Sequence, residues 1–217
     1  LIENLQGVNS LLVVGDLSIQ SIENLNSLEG LNNLMAVNSP AGATASISQN
    51  PALIDLAGLE SLQEINGTLR VDSNENLISL DGLENLQTLA DNLEIKSNPN
   101  LQSIESLSGL IEVPFLLHIG SNPELESLQG LQNLGSTFVL NISGNHSLTN
   151  LEGLNSLSSV LDIIIYDNDG MTSLEGLDNL SLAEGNVELS QNELLNNIEN
   201  LSNLSIIGGL IIQENPS

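Results

Sequence analysis

Short segments in which apolar and polar residues alternate return about every 24 residues along the chain. In the copy LEIKSNPNLQSI at 93–104, two apolar residues stand two positions apart, and an asparagine follows three residues later. Alternation with a period of two is typical of a short strand that buries one face. The segments predict nine strands, whose inward-facing pairs are Leu17/Ile19, Ala45/Ile47, Leu69/Val71, Leu93/Ile95, Leu117/Ile119, Leu140/Ile142, Ile163/Ile165, Val187/Leu189 and Leu210/Ile212.

The asparagine of this segment recurs at intervals of 24, 24, 24, 23, 23, 24 and 23 residues. A repeat of this length is typical of a solenoid, because one repeat cannot bury its apolar face without a neighbour. We interpret the asparagine as structural, since its amide can bond to backbone groups where the chain turns. This ladder consists of Asn50, Asn74, Asn98, Asn122, Asn145, Asn168, Asn192 and Asn215, with Ile22 at its position in the first coil and proline directly after it at Pro51, Pro99, Pro123 and Pro216.

A second repeated position marks a corner of each coil. Residues without a bulky side chain are expected there, either for a positive φ or for a close approach of neighbouring coils. The corner residues are Gly7, Gly30, Gly58, Gly82, Gly130, Gly153 and Gly176, with Ser106 and Asn200 at equivalent positions. One interval, from Ile22 to Asn50, grows to 28 residues, and its small residues NSPAGATA predict a loop insertion at 38–45.

These patterns predict a mainly β, right-handed solenoid of about eight to nine coils, with repeats of 23–24 residues and a parallel sheet. Because each coil contacts its neighbours and no linker interrupts the array, residues 1–217 are expected to form a single repeat domain. The first residue is a leucine inside a repeat, so we expect this domain to be a fragment of a longer chain.

Charge narrows the possible partners. The chain has 2 Lys+Arg against 28 Asp+Glu, which gives a formal net charge of −26. Such a surface repels the phosphates of nucleic acids and anionic membranes, and no apolar run is long enough to enter a bilayer. The chain has no cysteine, so neither disulfides nor thiol chemistry are expected.

The segment L-x-I-x-x-N-x-x-L followed by L-x-G-L-x-N-L resembles a leucine-rich repeat over essentially the whole chain. More narrowly, it resembles the receptor L domain, the β-helical ligand-binding module of insulin- and EGF-type receptors and of related microbial surface proteins. The resemblance implies a non-catalytic module that binds a protein or a glycan outside the cell. Receptor modules usually carry disulfides, so the absence of cysteine favours a microbial surface or secreted protein.

Outward positions of the strands are the candidate binding surface, because neither packing nor turn geometry dictates their side chains. Both basic residues, one of the two histidines and the single tyrosine fall at these positions. The candidate ligand-binding residues are Arg70, Asp72, Glu94, Lys96, His118 and Tyr166. The alternative is a cross-strand network that offsets carboxylate repulsion. Ile164 and Ile211 extend an apolar strip on the same face.

Other chemistry is weakly indicated. The residue before the corner is often acidic, and stacked carboxylates could attract calcium, although solvated side chains are the commoner explanation. The sequence DNDG at 167–170 lacks the spacing of a calcium loop and is interpreted as a turn. His146 lies too far along the repeat from His118 for the two to form a metal pair, so no metal site and no cofactor are predicted.

An enzyme is not expected, because only Arg70, Asp72 and Lys96 could supply acid, base and charge stabilisation, and no nucleophile motif accompanies them. The sequence therefore favours extracellular recognition or adhesion through the parallel strand face. The alternative is a structural spacer or stalk of a surface adhesin that has no specific ligand site.

Overall fold

The computed structural model describes residues 2–215. Leu1, Pro216 and Ser217 of the predicted domain, including the proline after the last ladder asparagine, lie outside the described residues. The described chain forms a mainly β solenoid of about eight turns with a repeat of about 24 residues. This confirms the fold class expected from the periodicity.

A ten-stranded parallel sheet forms the main wall of the solenoid. Its strands are β2 (Leu17–Gln20), β4 (Ala43–Ser48), β6 (Gly67–Asp72), β8 (Leu93–Lys96), β9 (Glu112–Gly120), β10 (Ser136–Ser143), β11 (Ser159–Val160), β12 (Asp162–Tyr166), β13 (Leu182–Ser190) and β14 (Ile206–Gln213). A second parallel sheet consists of β1 (Val13–Val14), β3 (Ala36–Val37), β5 (Glu64–Ile65) and β7 (Thr88–Leu89). Three short 3₁₀ helices span Gln6–Val8, Glu105–Leu107 and Glu199–Leu201.

The register of the main sheet places equivalent residues of successive coils side by side. Leu93 of β8 pairs with Leu69 on one side and with Leu117 on the other. Eight of the nine predicted inward pairs are buried as expected. The pair on β14 keeps the register, but Leu210 and Ile212 are 54% and 48% exposed, because β14 is the last described strand and no described coil packs on its far side.

Between strands, apolar side chains enter the core at every third residue. In one coil these are Leu53, Leu56, Leu59, Leu62 and Ile65, all at most 1% exposed. Three-residue hydrogen-bonded steps produce this spacing, since the backbone N–H of Leu62 bonds to the carbonyl of Leu59. The result is a continuous aliphatic core along the solenoid.

The ladder asparagines from Asn50 to Asn192 are buried at the turn that ends each strand, and Asn215 in the last described coil is half-buried. Asn98 shows the arrangement: its Oδ1 accepts from the backbone N–H of Asn74 at 3.0 Å. Its Nδ2 donates to the carbonyl of Val71 at 3.1 Å and to that of Lys96 at 2.8 Å. In the first coil, the N–H of Ile22 donates to Asn50, so the predicted ladder and its first position are both confirmed.

A left-handed residue precedes each of the eight ladder asparagines and Ile22 at the first ladder position, which the sequence pattern did not indicate. These residues are Ser21, Gln49, Ser73, Ser97, Ser121, Asp167, Gln191 and Glu214, with φ between 54° and 57°, and Gly144 with φ 64°. A non-glycine residue rarely adopts this conformation. Except at Gly144, the turn therefore adopts a strained backbone, and the asparagine hydrogen bonds around it hold that backbone in place.

The corner prediction holds for six glycines and is wrong for the other three positions. Gly30, Gly58, Gly82, Gly130, Gly153 and Gly176 have φ between 109° and 116°, and a Cβ added to any of them would clash with a carbonyl of the preceding coil. Gly7, Ser106 and Asn200 instead lie in the three 3₁₀ helices, whose tighter turn removes the need for a positive φ.

The predicted insertion is shorter than expected. Residues 43–45 belong to β4, where Ala43 and Ala45 are buried, so the loop between β3 and β4 comprises residues 38–42. Asn66 of the next coil holds this loop in place, because its Nδ2 donates a hydrogen bond to the carbonyl of Ser39 at 3.2 Å. The small residues at 43–45 are typical of loops as well as of buried strand positions, and the sequence prediction therefore assigned them to the loop.

Among residues 2–215, no helix is both long enough and apolar enough to cross a bilayer.

Replacing Asn98 by alanine is expected to lower the free energy of unfolding by about 3 kcal/mol or more. The change leaves the buried N–H of Asn74 and the carbonyl of Val71 without these partners, at about 1–3 kcal/mol for each group. Urea unfolding measures the effect, with Asn26→Ala as control, because Asn26 is exposed and its side chain makes no hydrogen bond within the described chain. Equal losses in the two variants would contradict the structural role of the ladder.

Gly82→Ala is expected to destabilise the protein by about 2 kcal/mol or more, since φ +113° disfavours an L side chain and the new Cβ would meet the carbonyl of Leu56. Gly7→Ala is the matched control, because no atom lies within 4 Å of a Cβ built there. We expect the control to be neutral or slightly stabilising. Thermal unfolding distinguishes the two, and an unchanged midpoint for Gly82→Ala would refute the constraint.

Candidate functional site

The parallel register arranges the outward side chains of the main sheet in two rows. The first row runs through Ser18, Ser46, Arg70, Glu94, His118, Asn141, Ile164, Glu188 and Ile211, and the second through Gln20, Ser48, Asp72, Lys96, Gly120, Ser143, Tyr166, Ser190 and Gln213. Neighbours within a row lie about 4.8 Å apart, the spacing of adjacent strands. The rows are those expected from the sequence.

Glu94 joins the two basic side chains of the protein. Its Oε1 lies 2.9 Å from Arg70 Nη2, and its Oε2 lies 2.8 Å from Lys96 Nζ. The Glu94 side chain is only 9% exposed, against 45% for Arg70 and 26% for Lys96. The carboxylate is thus covered by the two cations, and a ligand above this sheet would meet the cations first.

Burial and ion pairing act in opposite directions on Glu94. Burial by itself disfavours the charged carboxylate, but hydrogen bonds from Arg70 and Lys96 outweigh it and hold the pKa of Glu94 below its ordinary value. The hydrogen bond between Arg70 and Glu94 also raises the pKa of Arg70. Asp72, beside Arg70 and Lys96 on the sheet, accepts a hydrogen bond from Ser73 Oγ at 2.9 Å. With Asp72 included, two cations face two carboxylates, and the cluster is balanced in charge.

His118 lies next to this cluster, on β9. A Cβ built on Gly120 would lie 2.7 Å from His118 Nε2 and 3.1 Å from Ser143 Oγ, so the imidazole extends over the space that Gly120 leaves in the second row. Burial lowers the pKa of His118, and the nearby Lys96 ammonium lowers it further. The imidazole is therefore neutral at pH 7 and can both donate and accept a hydrogen bond.

Tyr166 is separated from the charged residues. It stands three strand steps from Lys96 along the second row, which corresponds to about 14 Å. The residues beside and between them are small and buried: Gly120, Ser143 and Ser190. Tyr166 is 39% exposed and rises above these neighbours, while the His118 imidazole covers Gly120 on the side of Lys96.

Asn141, in the first row opposite His118, was not predicted as a site residue. Its Oδ1 is buried and has no hydrogen-bond partner among residues 2–215. An unpaired buried acceptor costs about 1–3 kcal/mol, and it is satisfied when a donor reaches it. Its outward position in the repeat was the available signal, but sequence alone does not show that its amide lacks a partner.

The structure thus brings together Arg70, Asp72, Glu94, Lys96 and His118. Tyr166 lies on the same face of the sheet but apart from them. The predicted apolar strip is wrong, because Glu188 lies between Ile164 and Ile211 in the first row. The corner carboxylates are exposed, and within residues 2–215 they do not converge in groups of three that could share an ion.

A second cluster lies at the turns that follow β10 and β12. His146, Asp167 and Asp169 each offer one ligand atom, and these atoms lie within 4.8 Å of one another. His146 Nδ1 is 3.4 Å from Asp169 Oδ2. The predicted turn at 167–170 is confirmed, but its two aspartates lie beside a histidine from the preceding coil. Sequence reasoning missed this cluster because it compared His146 with His118 rather than with the equivalent turn one repeat later.

Comparison with known proteins does not extend this picture: no protein-family model and no curated protein matches the sequence.

Glu94→Gln is expected to destabilise the protein at neutral pH and to matter less in acid. A group with a lowered pKa in the folded state contributes stability above its ordinary pKa, and this contribution disappears as the pH falls through the lowered value. Urea unfolding of the wild type and the variant between neutral and acidic pH measures the difference. Glu112→Gln, which removes an exposed and unpaired carboxylate, is the control. A difference that stays constant with pH would contradict this account of Glu94.

Proposed function

We propose that this protein is a non-catalytic recognition or adhesion module, of the leucine-rich-repeat or receptor L domain type, that binds a protein or a glycan outside the cell. Its ligand contacts the outward face of the main sheet between Arg70 and Tyr166. The supporting observation is the distribution of rare side chains. Both basic residues of the chain, His118 and the single tyrosine occupy outward positions of this sheet, which the repeat leaves free to vary.

The shape of this face suits recognition rather than catalysis. Side chains in register on a stiff sheet are held in place before a ligand arrives, so little conformational entropy is lost on binding. Arg70 and Lys96 offer donors for carboxylate or hydroxyl groups, and Tyr166 offers a ring for stacking. Between them, the His118 imidazole covers Gly120, and the small side chain of Ser143 keeps the surface low beside Tyr166. The neutral imidazole of His118 adds a donor and an acceptor.

A structural spacer or stalk is the second candidate. It is favoured by the pairing of both cations with one buried carboxylate, since cross-strand pairs of this kind offset charge repulsion without any ligand. In that case the Arg70–Glu94–Lys96 cluster contributes to stability, and Tyr166 has no binding role.

Binding to arrays of glycans and extracellular proteins, with and without calcium, tests the proposal. One variant combines Arg70→Gln, Glu94→Gln and Lys96→Gln, so that no buried carboxylate is left without its cations. A second variant is Tyr166→Ser. The control, Gln63→Ala with Gln87→Ala, changes exposed residues beside the second sheet.

We expect the wild type and the control to bind the same ligand, and each sheet variant to lose at least about tenfold in affinity, or about 1.4 kcal/mol. Thermal unfolding verifies that the variants are folded. Binding that survives in both sheet variants would place the ligand elsewhere on the solenoid. No binding by the wild type would support the spacer.

A further inference from the structure

We propose that His146, Asp167 and Asp169 form a binding site for a divalent transition metal ion, of which Zn²⁺ is the test case. The site is separate from the proposed recognition surface and does not depend on it. Its donors are one imidazole nitrogen of His146 and one carboxylate oxygen from each aspartate. A ligand set of this mixed kind differs from the exposed carboxylates that cover most of this acidic chain.

The distances suit a single ion. Zn²⁺ binds imidazole nitrogen and carboxylate oxygen at about 2.0–2.2 Å, which separates neighbouring donors by about 3–3.5 Å. His146 Nδ1 and Asp169 Oδ2 already lie 3.4 Å apart, and all three donor atoms lie within 4.8 Å of one another. Small side-chain rotations therefore suffice to close the group around an ion.

The backbone beneath the site is rigid. His146 directly follows the ladder residue Asn145, and the two aspartates flank the ladder residue Asn168. Asn145 and Asn168 are fully buried, and the N–H of Asn145 donates to Asn168 Oδ1 at 3.1 Å. The ladder thus holds the two turns at a fixed distance, and the ligand side chains project from a prearranged support.

The surroundings of the site are uncompensated in charge. Within residues 2–215, the Asp167 carboxylate has no hydrogen bond or ion pair. Apart from His146 itself, the nearest basic side chain is Lys96, three strand steps from Tyr166, the residue before Asp167. Gln191, Glu193 and Glu214 line a depression of about 330 Å³ together with the two aspartates. Adjacent carboxylates without cations repel each other and attract a divalent ion, and the open side leaves coordination positions for water.

The repeat itself marks this region. The position directly after the ladder asparagine is proline in three earlier coils, at Pro51, Pro99 and Pro123. In three successive later coils it is His146, Asp169 and Glu193. A proline suits the turn without any ligand. Glu75 also stands at this position, but prolines occupy it in the coils on either side, so only the later coils place metal-binding side chains there in direct succession. Imidazole favours zinc and its transition-metal neighbours over calcium or magnesium, which prefer an all-oxygen shell.

Nuclear magnetic resonance of the imidazole C–H groups tests the site directly, because the chain has two histidines. On titration with Zn²⁺ we expect the His146 signals to shift in a saturable, one-to-one manner while those of His118 stay unchanged. An equal concentration of Ca²⁺ is expected to leave His146 unshifted. Unmoved His146 signals with Zn²⁺ would overturn the proposal and leave His146 as a simple charge partner of Asp169.

Substitutions separate a defined site from the general attraction of an acidic surface. Asp167→Asn and Asp169→Asn are each expected to weaken Zn²⁺ binding by at least about tenfold, the scale of losses at metal sites. Asparagine tolerates the left-handed conformation of residue 167, so this turn is retained. Glu175→Gln is the control, because it removes the same charge from an exposed corner. Equal weakening in all three variants would show diffuse ion binding and refute the site.

Discussion

The structure depends on one constraint: the backbone polar groups at the end of each strand are buried and must still be hydrogen-bonded. The chain turns there through a left-handed residue, which turns the next residue inward, away from solvent. Asparagine resolves the problem, because its amide has both a donor and an acceptor within a short side chain. One asparagine bonds to the preceding coil and is in turn bonded by it, so every turn is tied to the next.

Register and rigidity follow from this ladder. Because the turns are stacked at a fixed offset, the strands between them pair without slippage, and equivalent residues form straight rows across the main sheet. The same stacking fixes the positions of the leucines that enter the core at every third residue. It also places each positive-φ corner glycine against a carbonyl of the preceding coil. A defect at one turn is therefore expected to destabilise the coils on both sides.

Charge is distributed unevenly on this scaffold. The two cations of a very acidic chain meet over a single buried carboxylate on the sheet, where they balance the local charge. The turns after β10 and β12 have no such compensation, and their carboxylates lie beside an imidazole. A charge-balanced cluster and an acidic cluster without lysine or arginine thus lie on one scaffold. Ligands of different chemistry suit each of them.

The sequence by itself determined the repeat, the ladder, the strands and the outward rows, because period-two alternation and a regular asparagine report local geometry that every coil shares. It also identified Ile22 as the residue at the first ladder position. It could not separate the corner glycines from Gly7, Ser106 and Asn200, nor the loop from the start of β4, since small residues suit both turns and buried strand positions. Only the tertiary structure decided which side chains meet across coils. The covering of Glu94, the unpaired oxygen of Asn141 and the approach of His146 to Asp167 and Asp169 all depend on stacking between residues about one repeat apart, and no local pattern encodes those distances.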